Sequence, residues 1–242
     1  MRRFCNMSIA VLSVAVLSAC GGGGSEDAGS TTSYATQAAW TNLYSAGSHA
    51  WALSGTATYQ PASGGSGSYP TTATLSLTAG ADAPFPANGG GVPLNVLRST
   101  SVTTVSGYPS ESSTNDWYLD ANYRYIGAVD GDGYCEVATQ SALPPTYAKI
   151  GNYGTVATFE LYDSCGSGAT LLGTGSLQWS LELAGGQTYF CLLNQGGYTG
   201  GTSYTEKDCM TIDVNGVIGQ SATITSSLIS TDGVTSLNLS TN

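Results

Sequence analysis

The feature that most constrains this chain is a strict alternation of side-chain character. Between Ser176 and Leu183, Leu177, Trp179, Leu181 and Leu183 alternate with Ser176, Gln178, Ser180 and Glu182. A period of two is the period of a β-strand, with one face against a core and the other in water. The pattern recurs throughout. In Ala50–Tyr59, Trp51, Leu53, Ala57 and Tyr59 oppose Ser54, Thr56 and Thr58. In Thr71–Ala79, Ala73, Leu75 and Leu77 alternate with Thr74, Ser76 and Thr78, and a less regular strand runs through Leu94–Val105. Trp117–Tyr125 and Val156–Asp163 repeat it.

Turn signals punctuate these runs. Ala184-Gly185-Gly186-Gln187, Asn215-Gly216 and Asp232-Gly233 each separate two strand-like segments, and Asn-Gly and Asp-Gly are strong hairpin formers. Before the alternation begins, Tyr34 to Ser45 reads as a short helix, with Ser33 as cap, Gly47 as terminator, and Ala39, Trp40, Leu43 and Tyr44 on one face. The expectation is a single all-β domain over residues 34–242. An antiparallel sandwich of roughly ten strands comes first, and a closed or half-open β-barrel is the alternative. Periodicity alone does not separate them.

Upstream, Arg2 and Arg3 precede an apolar run from Ile9 to Leu17, followed by Ser18, Ala19 and Cys20. A charged start and a run of that length mark a secretory signal, too short to span a bilayer. Leu17-Ser18-Ala19-Cys20 resembles the lipobox of bacterial lipoproteins: an aliphatic residue, two small ones and a cysteine. The resemblance implies removal of residues 1–19 as signal peptide and acylation of Cys20, palmitate included, so that lipid ties the chain to a membrane. Residues 20–33 then read as a flexible tether, since Gly21 to Ser30 hold no large apolar residue. Gly21 after the cysteine resembles the outer-membrane rather than the inner-membrane kind. The rest of the chain resembles no family.

After residue 19 only Arg98, Arg124, Lys149 and Lys207 are basic, against sixteen acids. Nucleic acid is a disfavoured partner, because phosphate contact needs Lys and Arg. With Cys5 in the signal, Cys135, Cys165, Cys191 and Cys209 remain, an even number suited to an exported, disulfide-bonded protein. The midpoint of 191 and 209 falls in the loop Gly196 to Thr202, and that of 135 and 165 falls at Ile150, near chain breakers. Hairpin symmetry therefore pairs Cys135 with Cys165 and Cys191 with Cys209. Cys135 shares a face with Val137, so the first bridge should point inward. Cys209 shares one with Thr211 and Asp213, so the second should be the more exposed.

Catalytic apparatus is thin. The sole histidine, His49, is read as a surface or loop residue, and no nucleophile elbow accompanies it. Asp130 and Asp132 alternate with glycines in a way that could suit Ca²⁺, with a plain hairpin turn as the competing reading. Glu136, Glu160 and Glu182 could supply paired carboxylates, but their polar-face placement reads as solvated surface. Trp51, Trp117, Trp179, Tyr123 and Tyr125 read as packing residues, while Tyr59, Tyr69, Tyr108, Tyr198 and Tyr204 are better placed for ligand contact. No metal or cofactor is expected. The reading is a non-enzymatic, lipid-anchored envelope domain that binds or supports an unidentified partner. A carbohydrate- or peptidoglycan-binding module and a carboxylate-based hydrolase are the alternatives.

Overall fold

A computed structural model describes residues 31–45, 47–88 and 91–241. Residues 1–19, Cys20 and the tether as far as residue 30 lie outside them. Among the described residues, one helix, α1 (Thr36–Ser45), precedes twelve strands: β1 (Ser48–Pro61), β2 (Gly67–Ala79), β3 (Asn95–Val105), β4 (Glu111–Leu119), β5 (Tyr125–Asp130), β6 (Cys135–Ser141), β7 (Tyr153–Tyr162), β8 (Leu171–Ala184), β9 (Gln187–Tyr198), β10 (Ser203–Ile212), β11 (Ile218–Ser230) and β12 (Gly233–Ser240). Every strand pairs antiparallel with the next, and β12 returns to β1 in register from Ser54↔Ser240 to Pro61↔Gly233. The sheet is a closed barrel.

This replaces the first expectation, a sandwich of about ten strands, by the stated alternative. Both architectures bury one face of each strand, so alternation is common to them. What decides is the β1–β12 ladder, which leaves no sheet edge unpaired. The undercount has a local cause: β5 and β6 are only 6 and 7 residues long, and neither alternates cleanly. Register shifts in β4–β5, β6–β7, β7–β8 and β10–β11 supply the bends that closure needs.

Toward α1 the interior of the barrel is apolar, and much of the outer face is polar. Leu53, Leu75, Leu77, Leu177, Trp179, Leu181, Phe190, Ile224 and Leu239 are buried within the barrel. The opposite faces carry Thr72, Thr74, Ser76 and Thr78 on β2, and the Arg98–Asp116 and Lys207–Glu182 ion pairs, both at 2.7 Å. A barrel that crosses a bilayer reverses this, with an apolar band facing lipid. On β2 and at the two ion pairs the outer face carries hydroxyls and charges instead.

Helix α1 closes one end. Its face of Ala39, Trp40, Leu43 and Tyr44 is buried as expected, though the helix begins at Thr36 and Tyr34 pairs instead with Ala148. Four hydrogen bonds lash it across the turns at that end: Trp40 Nε1 donates to Tyr123 O, Asn42 Nδ2 to Gly216 O, Thr36 Oγ1 to Pro145 O, and the Ala35 amide to Val214 O. Tyr123 adopts φ of 63°, a left-handed conformation unusual for a non-glycine residue, at the turn that presents this carbonyl. The barrel is therefore a cup, with α1 as its floor.

Both expected disulfides form, Cys135–Cys165 and Cys191–Cys209. Cys191 and Cys209 are directly opposite on β9 and β10. Cys165 lies just beyond β7, so its bridge clamps the β7–β8 loop to the start of β6. Two details differ from expectation. Cys135 is buried on the outer face, not inside, because the β2–β3 connection folds back over the wall and lays Phe85 against Tyr118, Val96 and Cys135. Cys209 is buried as well, at 7% exposure. Gly127 makes room for the lid: a Cβ there would collide with the Phe85 ring and with Glu136 O. Gly127→Ala should cost about 1–3 kcal/mol in denaturant unfolding, the usual penalty for overpacking.

Candidate ligand-binding lumen

Above the packed floor the inward residues change character. On β3 they are Ser99, Ser101 and Thr103, and on β4 Ser113 and Asn115. Asp130 and Glu136 follow on β5 and β6, Asn194 and Tyr198 on β9, and Tyr204, Glu206 and Asp208 on β10. Ala73, Leu75, Ile224, Leu237 and Leu239, from β2, β11 and β12, form the facing wall. Together they enclose a cavity of about 450 Å³ that opens between the β3–β4, β5–β6 and β9–β10 turns, at the end away from α1. That volume lies within the range of small-molecule sites. One wall is apolar, the other hydroxylic and acidic. No basic side chain lines it among the described residues.

The acids sit deep. Glu136 Oε2 accepts from Tyr125 Oη at 2.6 Å, and Tyr204 Oη is shared between Glu136 Oε1 at 3.4 Å and Asn194 Oδ1 at 3.3 Å. Tyr204 fits because Gly196 stands behind it; a Cβ at Gly196 would lie 2.7 Å from the ring. Glu206 and Asp208 border both the main cavity and a smaller one of about 80 Å³ beneath it, next to Tyr44 and Met210. Both acids are half-buried. Two polar atoms there are fully enclosed without a hydrogen-bond partner, Asp208 Oδ1 and Tyr44 Oη.

Enclosure governs the protonation of these groups. Burial raises the Glu206 carboxyl well above the usual range, and the neighbouring Asp208 and Glu136 charges push the same way. Burial pushes Asp208 up to about 7. Glu136 is raised by burial too, partly offset by hydrogen bonds from Tyr125, Asn194 and Tyr204. From about pH 4 to 7 the folded, ligand-free protein thus holds protons that the unfolded chain has released. Its stability should fall as pH rises through that window. Each unit of upward displacement amounts to about 1.4 kcal/mol. In urea titrations across the window, Glu206→Gln with Asp208→Asn should flatten the slope and raise stability at neutral pH.

The residues singled out in the sequence divide cleanly. Glu136, expected on a wet face, lines the lumen, whereas Glu160 bonds Tyr162 and Glu182 bonds Lys207 on the outside. Tyr198 and Tyr204 line the cavity; Tyr59, Tyr69 and Tyr108 belong to the rim hairpins. Trp51, Trp179 and Tyr125 are buried in the core, against which Trp117 and Tyr123 pack. Asp130 and Asp132 form the β5–β6 turn, where Asp130 Oδ1 accepts from the amides of Asp132 and Tyr134 at 3.0 and 2.9 Å. Glu182 neighbours Cys191 and Cys209, but those sulfurs are bonded to each other.

His49 is half-buried rather than a free surface residue. Its Nε2 lies 3.1 Å from Asn42 O, in the last turn of α1, and its ring stacks on Trp51. An acceptor carbonyl fixes the proton on Nε2, so the imidazole caps the helix end. His49→Ala should cost about 1 kcal/mol by thermal or urea unfolding, more than a bare surface residue would.

Glu206 and Asp208 went unnoticed in the sequence. A signal was present: Tyr204, Glu206, Asp208, Met210 and Ile212 share one face of a strand, and two of them are aliphatic or thioether residues that belong inside. Comparisons with protein-family models, curated proteins and solved structures found no match for this chain.

Proposed function

We propose that the protein is a lipid-anchored cell-envelope receptor, non-enzymatic, that holds a small molecule in the lumen of its barrel. The observation that carries this reading is the cavity of about 450 Å³, sealed at one end by α1 and open at the other. A barrel fold needs no such void for stability, and an unfilled lumen forfeits packing contacts. The described chain starts beside α1, so a tether leading from Cys20 would join the barrel at its closed end. Membrane attachment through Cys20, and the outer membrane as its place, rest on the lipobox resemblance.

Two measurements test the two halves. Cys20→Ala should release the full chain from the membrane fraction into the soluble one, since acyl chains contribute about 0.8 kcal/mol per buried CH₂; continued sedimentation with membranes would sink the anchor. For the lumen, a panel of neutral, cationic and anionic small molecules should include at least one class that raises the melting temperature. Ser101→Trp, which puts a bulky ring into the cavity beside Ser99 and Ser113, should weaken that response while the barrel still melts cooperatively. If no class stabilises the wild type, the receptor reading falls.

A carboxylate-based hydrolase is the second reading, favoured by the grouping of Glu136, Glu206 and Asp208 in one cavity. It requires turnover of a chromogenic glycoside that is lost in Glu206→Gln, whereas a receptor binds without turnover. The glycan-binding alternative draws on the hydroxyl-rich wall and on Tyr198 and Tyr204, whose ring centroids are 6.0 Å apart.

A further inference from the structure

Building on the receptor reading, we propose that the lumen selects organic ammonium compounds, seating the ammonium on Glu206, Asp208 and Tyr44 and the carbon body against Leu75, Ile224, Leu237 and Leu239.

Four observations converge on this class. The cavity is lined by acids and hydroxyls with no Lys or Arg among its described residues, so its field favours a cation. Lys207 and Arg98 are both committed to ion pairs on the outer face. At the floor, Asp208 Oδ1 and the hydroxyl of Tyr44 are enclosed without partners, and Tyr44 is only 4% exposed. Carboxylate and phenolic oxygens can all accept, and an ammonium has donors only, so the two sets are complementary. Lastly, the wall that starts beside the acids is aliphatic over several residues, from Ile224, the cross-strand partner of Asp208, to Leu237, Leu239 and Leu75, a surface that a bare metal ion would leave uncovered. A volume of about 450 Å³ also far exceeds what one ion needs.

The same arrangement explains why the acids are tolerated. Without a cation, Glu206 and Asp208 on β10 face Glu136 from β6, Asp130 from β5, Tyr204 beside them, Tyr198 on β9 and Tyr44 on α1, and none of these supplies a positive charge. An arriving ammonium favours the ionised carboxylates, so binding expels protons and strengthens as pH rises.

The test uses the full chain in detergent, titrated calorimetrically with hexylammonium, hexanol, hexanoate and CaCl₂ in two buffers of different ionisation enthalpy. Hexylammonium should bind with proton release near pH 6 to 7, and the two uncharged or anionic homologues should bind at least about tenfold more weakly. Glu206→Gln and Asp208→Asn should each weaken hexylammonium by about tenfold and reduce the proton count, while remaining folded, since neutralising an enclosed acid relieves repulsion. Equal binding of hexanol, or preference for hexanoate, would overturn the ammonium assignment and leave the receptor reading standing. Binding of Ca²⁺ with no response to hexylammonium would overturn it in favour of a metal site. Hexylammonium binding that survives both substitutions and is unaffected by pH would also overturn it.

Discussion

Trp40→Ala should destabilise the barrel by about 3–5 kcal/mol, among the largest effects of any single substitution. Trp40 is fully buried, its ring centroid lies 4.6 Å from that of Tyr44, and its Nε1 donates to Tyr123 O at 2.8 Å. Truncation leaves a void at the centre of the floor and orphans a carbonyl at a strained turn. It also loosens the helix that closes the cup. Trp40→Phe should recover most of the packing but not the hydrogen bond, and so lie about 1–3 kcal/mol below wild type. Urea unfolding of the two variants measures both. If Trp40→Ala costs less than about 1 kcal/mol, α1 is not the structural floor described above.

Loss of the disulfides should rank next. The bridges close loops of 18 and 30 residues. Chain entropy assigns each about 3–4 kcal/mol. For a domain of this size that corresponds to roughly 6–16 °C in melting temperature per bridge. The order of reduction should differ. Cys191 and Cys209 are 1% and 7% exposed, whereas Cys165 is only half-buried in a surface loop. Under mild reductant, Cys135–Cys165 should open first and Cys191–Cys209 only on unfolding, as read by alkylation and peptide mapping. Simultaneous loss of both would contradict the burial of the second bridge.

Much of the fold was legible in the sequence. The alternation in β1, β2 and β8 marks their inner faces correctly, and the amphipathic stripe of α1 marks its buried side. Cysteine spacing alone gave both bridges. What misled was the assumption that an apolar face is an inner face. On β6, Cys135 and Val137 are apolar but lie outside, covered by Phe85 from a distant loop, and that reversal sent Glu136 to the wrong side. On β10 the outer-facing Cys209 drew attention away from Met210 and Ile212, which mark the inner face that Glu206 and Asp208 share. A lumen site puts polar residues where a core pattern demands apolar ones. Periodicity then reads them as surface, although they point into the lumen.

Native mass spectrometry of the full chain, extracted gently from the membrane fraction of the cell that makes it, tests the central claim most directly. The account predicts a non-covalent adduct of small-molecule mass on the wild-type protein, much reduced in both Ser101→Trp and Asp208→Asn. A wild-type protein that carries no adduct, or one whose adduct persists undiminished in Ser101→Trp, would contradict a ligand held in the lumen.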